Sequence, residues 1–230
     1  MMTQAGARSI AEDGAVHFAA ALADGDLADL RRTADRALAT GPGRRLNADA
    51  AFTPWIGPAG PVGLLAKMLL GDEARAVRAV LFDKTPEANW AVAWHQDRTI
   101  VVRERAEADG FGPWSLKDGL LHVAPPIGVL ERMVTLRIHL DPCGPGNAPL
   151  KAALGSHRLG RVPAADAAAR AGEHELAICL AKAGDVWAYA TPILHASERA
   201  ATPSRRRVLQ IDYAAFDLPS PLVWLGVGGR

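Results

Sequence analysis

Cysteine is scarce in this chain: only Cys143 and Cys179 are present, with no Cys-x-x-Cys pair. That excludes a disulfide framework and a thiolate zinc site. Lysine is scarce too, and the arginines are scattered rather than gathered in a stripe. With a net charge of +1, there is no electrostatic ground for nucleic acid or an acidic membrane surface as partner. No stretch reaches the roughly 18 apolar residues of a membrane span, and residues 1–16 hold no apolar core of signal-peptide length. The expectation is a cytoplasmic protein whose partner is a small molecule; nothing in the sequence sets an oligomeric state. Linkers, charge blocks and internal repeats are also missing, so one domain over residues 1–230 is expected.

What is abundant is glycine and proline, 22 and 16 residues, which implies many turns and therefore many short strands. Asp13-Gly14 reads as a turn into a strand at 15–18. Leu27, Leu30, Ala34 and Leu38 recur at helical spacing, with Asp26 as N-cap and Gly41-Pro42-Gly43 as the end. A second helix fits 61–70, with Pro61 in its first turn and Gly71 as its stop. Strands then fit 76–82, 90–94, 133–140, 175–180, 186–190, 194–198 and 206–214, with a short helix near 164–171. The segment 133–140 alternates aliphatic Val134, Leu136, Ile138 and Leu140 with polar Thr135, Arg137 and His139, so one face is dry and the other polar. The run 103–126 reads as a long loop, placed to act as a lid. The predicted class is mainly β with flanking helices: a helical part at about 20–72, then a jelly-roll core at about 76–215.

Chemistry concentrates at Trp94-His95-Gln96-Asp97. On a strand, residues i and i+2 share a face, so an imidazole and a carboxylate can reach one point together. They supply two arms of a 2-His-1-carboxylate facial triad, which leaves metal positions open for other ligands. His195, on a returning strand, is placed to be the third arm. Arg206 follows eleven residues later, and its planar fork suits a carboxylate. Alternation splits Arg205-Arg206-Arg207 into one inward and two outward side chains.

In order and spacing, His95-x-Asp97, the stretch Asn147-Ala148-Pro149-Leu150 through Gly155-Ser156-His157, His195-x-Ser197 and Arg206 resemble the phytanoyl-CoA dioxygenase family. The resemblance covers roughly residues 80–214. It implies a cupin-like double-stranded β-helix and Fe(II) held by His95, Asp97 and His195. It also implies 2-oxoglutarate on Arg206 assisted by Ser197, with O₂ as the other co-substrate. The implied reaction converts 2-oxoglutarate to succinate and CO₂ while oxidising a C–H bond. Hydroxylation is the default outcome; the family acts on diverse compounds, and it is the Arg-containing pocket that favours a small polar or carboxylate-bearing metabolite. Thr135 and Lys84 are further candidates for co-substrate contact, and Arg137, Arg98 and His139 for substrate contact. Two departures stand out: Ala148 where the family has Gly, and Leu154 where it has Pro. The retained Asp97 disfavours halogenation, which uses a small residue there.

The same residues also fit plainer roles. Each His can be a hydrogen-bonded core residue, Arg137 and Arg98 can be surface ions, and Trp94, Trp114 and Trp187 read as packing. His122 is left without a role, and His157 reads as ordering its own loop. Two rival functions are a cupin-type metal dioxygenase without 2-oxoglutarate and a non-catalytic ligand-binding barrel.

Overall fold

The computed structural model describes residues 10–39, 41–46 and 49–228. Thirteen strands form three antiparallel sheets among these residues. The six-stranded sheet contains β1 (Ala15–Phe18), β2 (Gly43–Arg45), β3 (Arg75–Lys84), β8 (Val134–His139), β11 (Val186–Ala190) and β13 (Arg206–Ala214), in the order β1-β11-β8-β13-β3-β2. The four-stranded sheet contains β4 (Val92–His95), β9 (Leu150–Ala153), β10 (Leu176–Cys179) and β12 (His195–Ser197), in the order β10-β9-β12-β4. A small third sheet joins β5 (Ile100–Val101), β6 (Trp114–Lys117) and β7 (Leu120–Val123). The two larger sheets form the jelly roll expected from the strand pattern.

Strand β8 shows why the fold forms. All six of its residues are buried. Its aliphatic side, Val134, Leu136 and Ile138, belongs to one apolar cluster with Leu27, Leu30 and Ala34 of helix α1 (Asp24–Ala37) and Val62 and Ala66 of helix α3 (Pro61–Leu70). Between these helices lies the single-turn α2 (Thr53–Ile56), whose Ile56 carbonyl accepts a hydrogen bond from the Tyr213 hydroxyl at 2.9 Å. Helices thus cover one face of the large sheet, and the polar face of β8 turns toward the smaller sheet.

Three local expectations need correction. Helix α1 begins at Asp24, with Ala23 as N-cap and no side-chain cap, so Asp26 lies in the first turn, where its charge still favours the helix N-terminus. The helix ends at Ala37, and Gly43 opens strand β2 rather than closing the helix. The run 103–126 is not a plain loop: β6 and β7 make a hairpin within it. Its two-residue turn is Asp118-Gly119, both left-handed at φ +50° and +75°, as a type I′ turn requires. The hairpin packs on Phe216, Leu218, Leu222 and Trp224 of the C-terminal segment through an apolar cluster around Val123. No helix among the described residues is long and apolar enough to cross a membrane.

Candidate active site

His95 closes β4, Asp97 follows it, and His195 opens β12. The two strands are neighbours, with His195 directly opposite His95, which sets the imidazoles side by side at 4.2 Å between ring centroids. One ligand atom each from His95, Asp97 and His195 falls within 4.8 Å of the others. Strand β4 stops before Asp97, so alternation alone does not hold the carboxylate. Gln96 does that work. It is buried, its Nε2 donates to the carbonyls of Gly160 and Pro192, both at 2.8 Å, and its Oε1 accepts from the Val162 amide at 2.9 Å. With Gln96 pinned outward, its two neighbours turn inward.

Both imidazoles are oriented alike. His95 Nδ1 lies 2.8 Å from the Ala93 carbonyl and His195 Nδ1 lies 2.9 Å from the Ile193 carbonyl. A carbonyl can only accept, so each Nδ1 donates, which leaves each Nε2 as the nitrogen available to a metal. Burial and the adjacent His95 hold His195 down at about 4 despite Asp97, so it is neutral at pH 7. For Asp97, burial would raise the carboxyl. Arg78, then His195 and His95, outweigh it and hold the group below the usual carboxylate range. The donor set, two imidazoles and one carboxylate whose ligand atoms lie within 4.8 Å of one another, fits a divalent iron with open positions.

The large sheet supplies the facing wall. Its registry pairs Arg206 with Lys84, Gln210 with Arg137, and Asp212 with both Arg78 and Thr135. Arg78 donates to Asp212 at 2.9 Å and lies 3.9 Å from Asp97. Gln210 Nε2 donates to Asp97 Oδ2 at 3.2 Å. Sequence reasoning missed Arg78, Gln210 and Asp212, although steps of two from Arg206 along β13 reach Gln210 and Asp212, and steps of two back from Lys84 along β3 reach Arg78. A cavity of about 120 Å³ lies between the sheets, lined by Lys84, His95, Asp97, Arg137, His195 and Arg206 among others. A larger groove of about 850 Å³ between the start of β3 and the C-terminal segment contains none of the triad.

The other candidates fall on both sides of this wall. Ser197 lines the cavity and donates to the Ala148 carbonyl at 3.1 Å. Arg206 is buried, and its Nη1 donates to the same carbonyl at 2.7 Å while its Nε has no partner. Arg205 and Arg207 point away and pair with Asp83 and Asp141, which is the predicted split of the trio. Thr135, Arg98 and His139 do not line the cavity. Thr135 Oγ1 donates to Asp212 at 3.0 Å, and Arg98 donates to the Val162 carbonyl. His139 is buried with neither ring nitrogen partnered, and burial, Arg137 and Arg206 push it down to about 3. His122 sits 3.4 Å from the Thr99 hydroxyl and is pushed to about 4, chiefly by burial. His157 reaches the Ala11 carbonyl at 3.3 Å, docking its loop on the N-terminal turn. No residue of 103–126 lines the cavity.

The two family departures have physical readings. Ala148 is left-handed at φ +50°, a conformation that costs a residue with Cβ about 1–2 kcal/mol. Its carbonyl is the one that anchors both Arg206 and Ser197. Ala148→Gly is therefore expected to stabilise the fold by up to about 1 kcal/mol, the strain relief being partly offset by unfolded-state entropy; chemical denaturation checks it. Leu154 donates its amide to the Glu175 carbonyl at 2.8 Å, a bond that a proline cannot make.

A jelly roll with a His-x-Asp…His centre at one point between its sheets and an arginine facing it defines an iron- and 2-oxoglutarate-dependent oxygenase. A model of the family described as phytanoyl-CoA dioxygenase (PhyH) matches residues 10–208, and the chain belongs to that family. No curated protein matches it by sequence. Among solved structures, EctD from S. alaskensis with 2-oxoglutarate and 5-hydroxyectoine is similar at a TM-score of 0.71 and 19% identity, over 97% of this chain and 83% of that one. The epimerase SnoN, in complex with Fe3+, alpha ketoglutarate and nogalamycin RO, aligns at 0.67 and 18%, over 94% and 90%. HygX from Streptomyces hygroscopicus, with nickel, 2-oxoglutarate and hygromycin B bound, aligns at 0.65 and 14%, over 97% and 90%.

Proposed function

We propose that this chain works as one oxygenase domain that hydroxylates a small polar molecule, with His95, Asp97 and His195 holding the iron. The observation that carries the reading is the paired orientation of the two imidazoles, each with Nδ1 on a carbonyl and Nε2 free beside Asp97. Bound iron with 2-oxoglutarate supplies O₂ activation coupled to release of succinate and CO₂. The chain's residues do the positioning. Arg206 takes the distal carboxylate of 2-oxoglutarate through its fork, with Ser197 and Lys84 beside it. The cavity walls hold one C–H bond of the substrate toward the metal and keep bulk water out. No side chain is required as general acid or base.

Lys84 gives the reading a pH signature. Its Nζ donates to the carbonyls of Trp90 at 2.6 Å and Glu198 at 3.3 Å, and to the Ser197 hydroxyl at 3.3 Å. Burial first, then Arg206 and Arg137, lower it to about 8 against a weak opposing effect of Cys143. Affinity for 2-oxoglutarate is expected to fall as pH rises through about 8, because the ammonium is lost. Stability moves the other way: between about 8 and its ordinary 10.5, only the unfolded chain holds the proton, so unfolding becomes harder as pH rises. Titrations with 2-oxoglutarate at neutral and alkaline pH should weaken in the wild type and stay level in Lys84→Met.

The reaction outcome is read by mass spectrometry under ¹⁸O₂. Hydroxylation predicts a product heavier by one labelled oxygen; loss of two hydrogens without label would instead mean desaturation or ring closure, and an unchanged mass with inverted configuration would mean epimerisation. That distinction matters because SnoN is an epimerase and SnoK, another similar structure, a carbocyclase.

A further inference from the structure

The cavity is overcharged. Its wall carries four cations, Arg78, Lys84, Arg137 and Arg206, against two acids, Asp97 in the wall and Asp212 directly behind it. Arg78 is matched by Asp212 and Asp97. Lys84 and Arg206 donate only to neutral groups. A divalent metal and dianionic 2-oxoglutarate cancel each other, so the excess of positive charge survives their loading.

Arg137 is where that excess sits nearest the metal ligands. It is 8% exposed, yet no carboxylate among the described residues lies at ion-pair distance from it, and Asp97, on which its charge acts from further off, is already matched by Arg78. Its Nη1 donates to neutral Gln210 Oε1, its Nε has no partner, and its guanidinium lies 5.9 Å from the Phe82 ring centre. A buried guanidinium without an anion is costly unless a ligand completes it. Registry separates it from the cation assigned to 2-oxoglutarate. Arg137 faces Gln210, four residues from Arg206 along β13, which is about 13 Å of strand. Gln210 itself touches Asp97, so Arg137 stands at the level of the metal triad.

We propose that Arg137 is a carboxylate-binding site for the primary substrate, and that the substrate class is therefore small carboxylic acids rather than neutral molecules. This rests on the oxygenase reading above. Arg137 orients the molecule by its carboxylate while Arg206 and Lys84 hold the co-substrate. The same chemistry has a second source, the carboxylate of 2-oxoglutarate nearest the metal, and the test separates the two.

The full chain is loaded with nickel(II), which does not turn over, and with 2-oxoglutarate. Acetate is the probe, acetamide its neutral isostere, and chloride matches the ionic strength. Acetate is expected to raise the melting temperature of the loaded wild type where acetamide and chloride do not. The increment disappears in Arg137→Met, which fills the same space, and partly returns in Arg137→Lys. Affinity of Arg137→Met for 2-oxoglutarate stays within about threefold of wild type, as for a residue that does not contact it. The proposal is overturned if acetate has no effect, or acts equally on wild type and variant. A loss of 2-oxoglutarate affinity beyond about threefold also overturns it, assigning Arg137 to the co-substrate. Should the wild type bind neither nickel nor 2-oxoglutarate, the oxygenase reading itself fails, and this shows before acetate is added.

Discussion

Asp97→Ala is expected to abolish succinate release and to weaken metal binding by more than the roughly 10–100-fold that follows loss of an outer-shell partner. The carboxylate is the one anionic arm of the triad. Its removal leaves two neutral imidazoles facing a dication and returns Arg78 to Asp212 alone. Gln210 also loses the acceptor for its Nε2. Metal titration of the purified variant reads the first effect and succinate formation the second. Far-ultraviolet circular dichroism should be unchanged, because the strands on either side are held by Gln96 and not by Asp97. A variant that binds iron as the wild type does would remove Asp97 from the site.

Arg206→Gln is expected to raise the apparent KM for 2-oxoglutarate by about thirtyfold or more, the scale set by truncating one partner of a buried charge pair. The effect should fall mainly on KM, since the distal carboxylate is bound alike before and during reaction. Two neighbours serve as controls for a slip of one residue. Arg205→Gln removes a partner of Asp83 and Asp35, and Arg207→Gln breaks the bidentate pairing with Asp141. Both should cost stability and leave the co-substrate KM near wild type. Equal effects across the three positions would mean a general basic patch.

Much of this architecture was legible because period-two patterning survives wherever one sheet face meets apolar cover. Strand β8 is the clearest case: its aliphatic face packs on α1 and α3, and its polar residues turn to the interior. Strands β11 and β13 and helix α3 have the bounds their patterns predict. The hairpin at 114–123 was masked by the charged, Gly-containing stretch 103–113 that leads into it, yet its Asp118-Gly119 turn was a usable signal. Other features could not be read locally. Gln96 holds the triad by bonds to Gly160, Val162 and Pro192, and no spacing rule predicts partners that distant. Arg98 and Thr135 likewise have residue types suited to a site, while their hydrogen bonds go to Val162 and Asp212.

His95, Asp97 and His195 form a group that could hold a metal ion, and their surroundings prepare them for it. Each imidazole is fixed in one tautomer by a carbonyl two residues earlier. The carboxylate is kept ionised by Arg78 and braced by Gln210. The most direct test is an anaerobic titration of the purified chain with Fe(II) and then 2-oxoglutarate, followed in the visible range. A charge-transfer band that saturates with one equivalent of each, and is lost in Asp97→Ala, is the predicted result. Well-folded, iron-loaded protein that develops no band with 2-oxoglutarate would contradict the account.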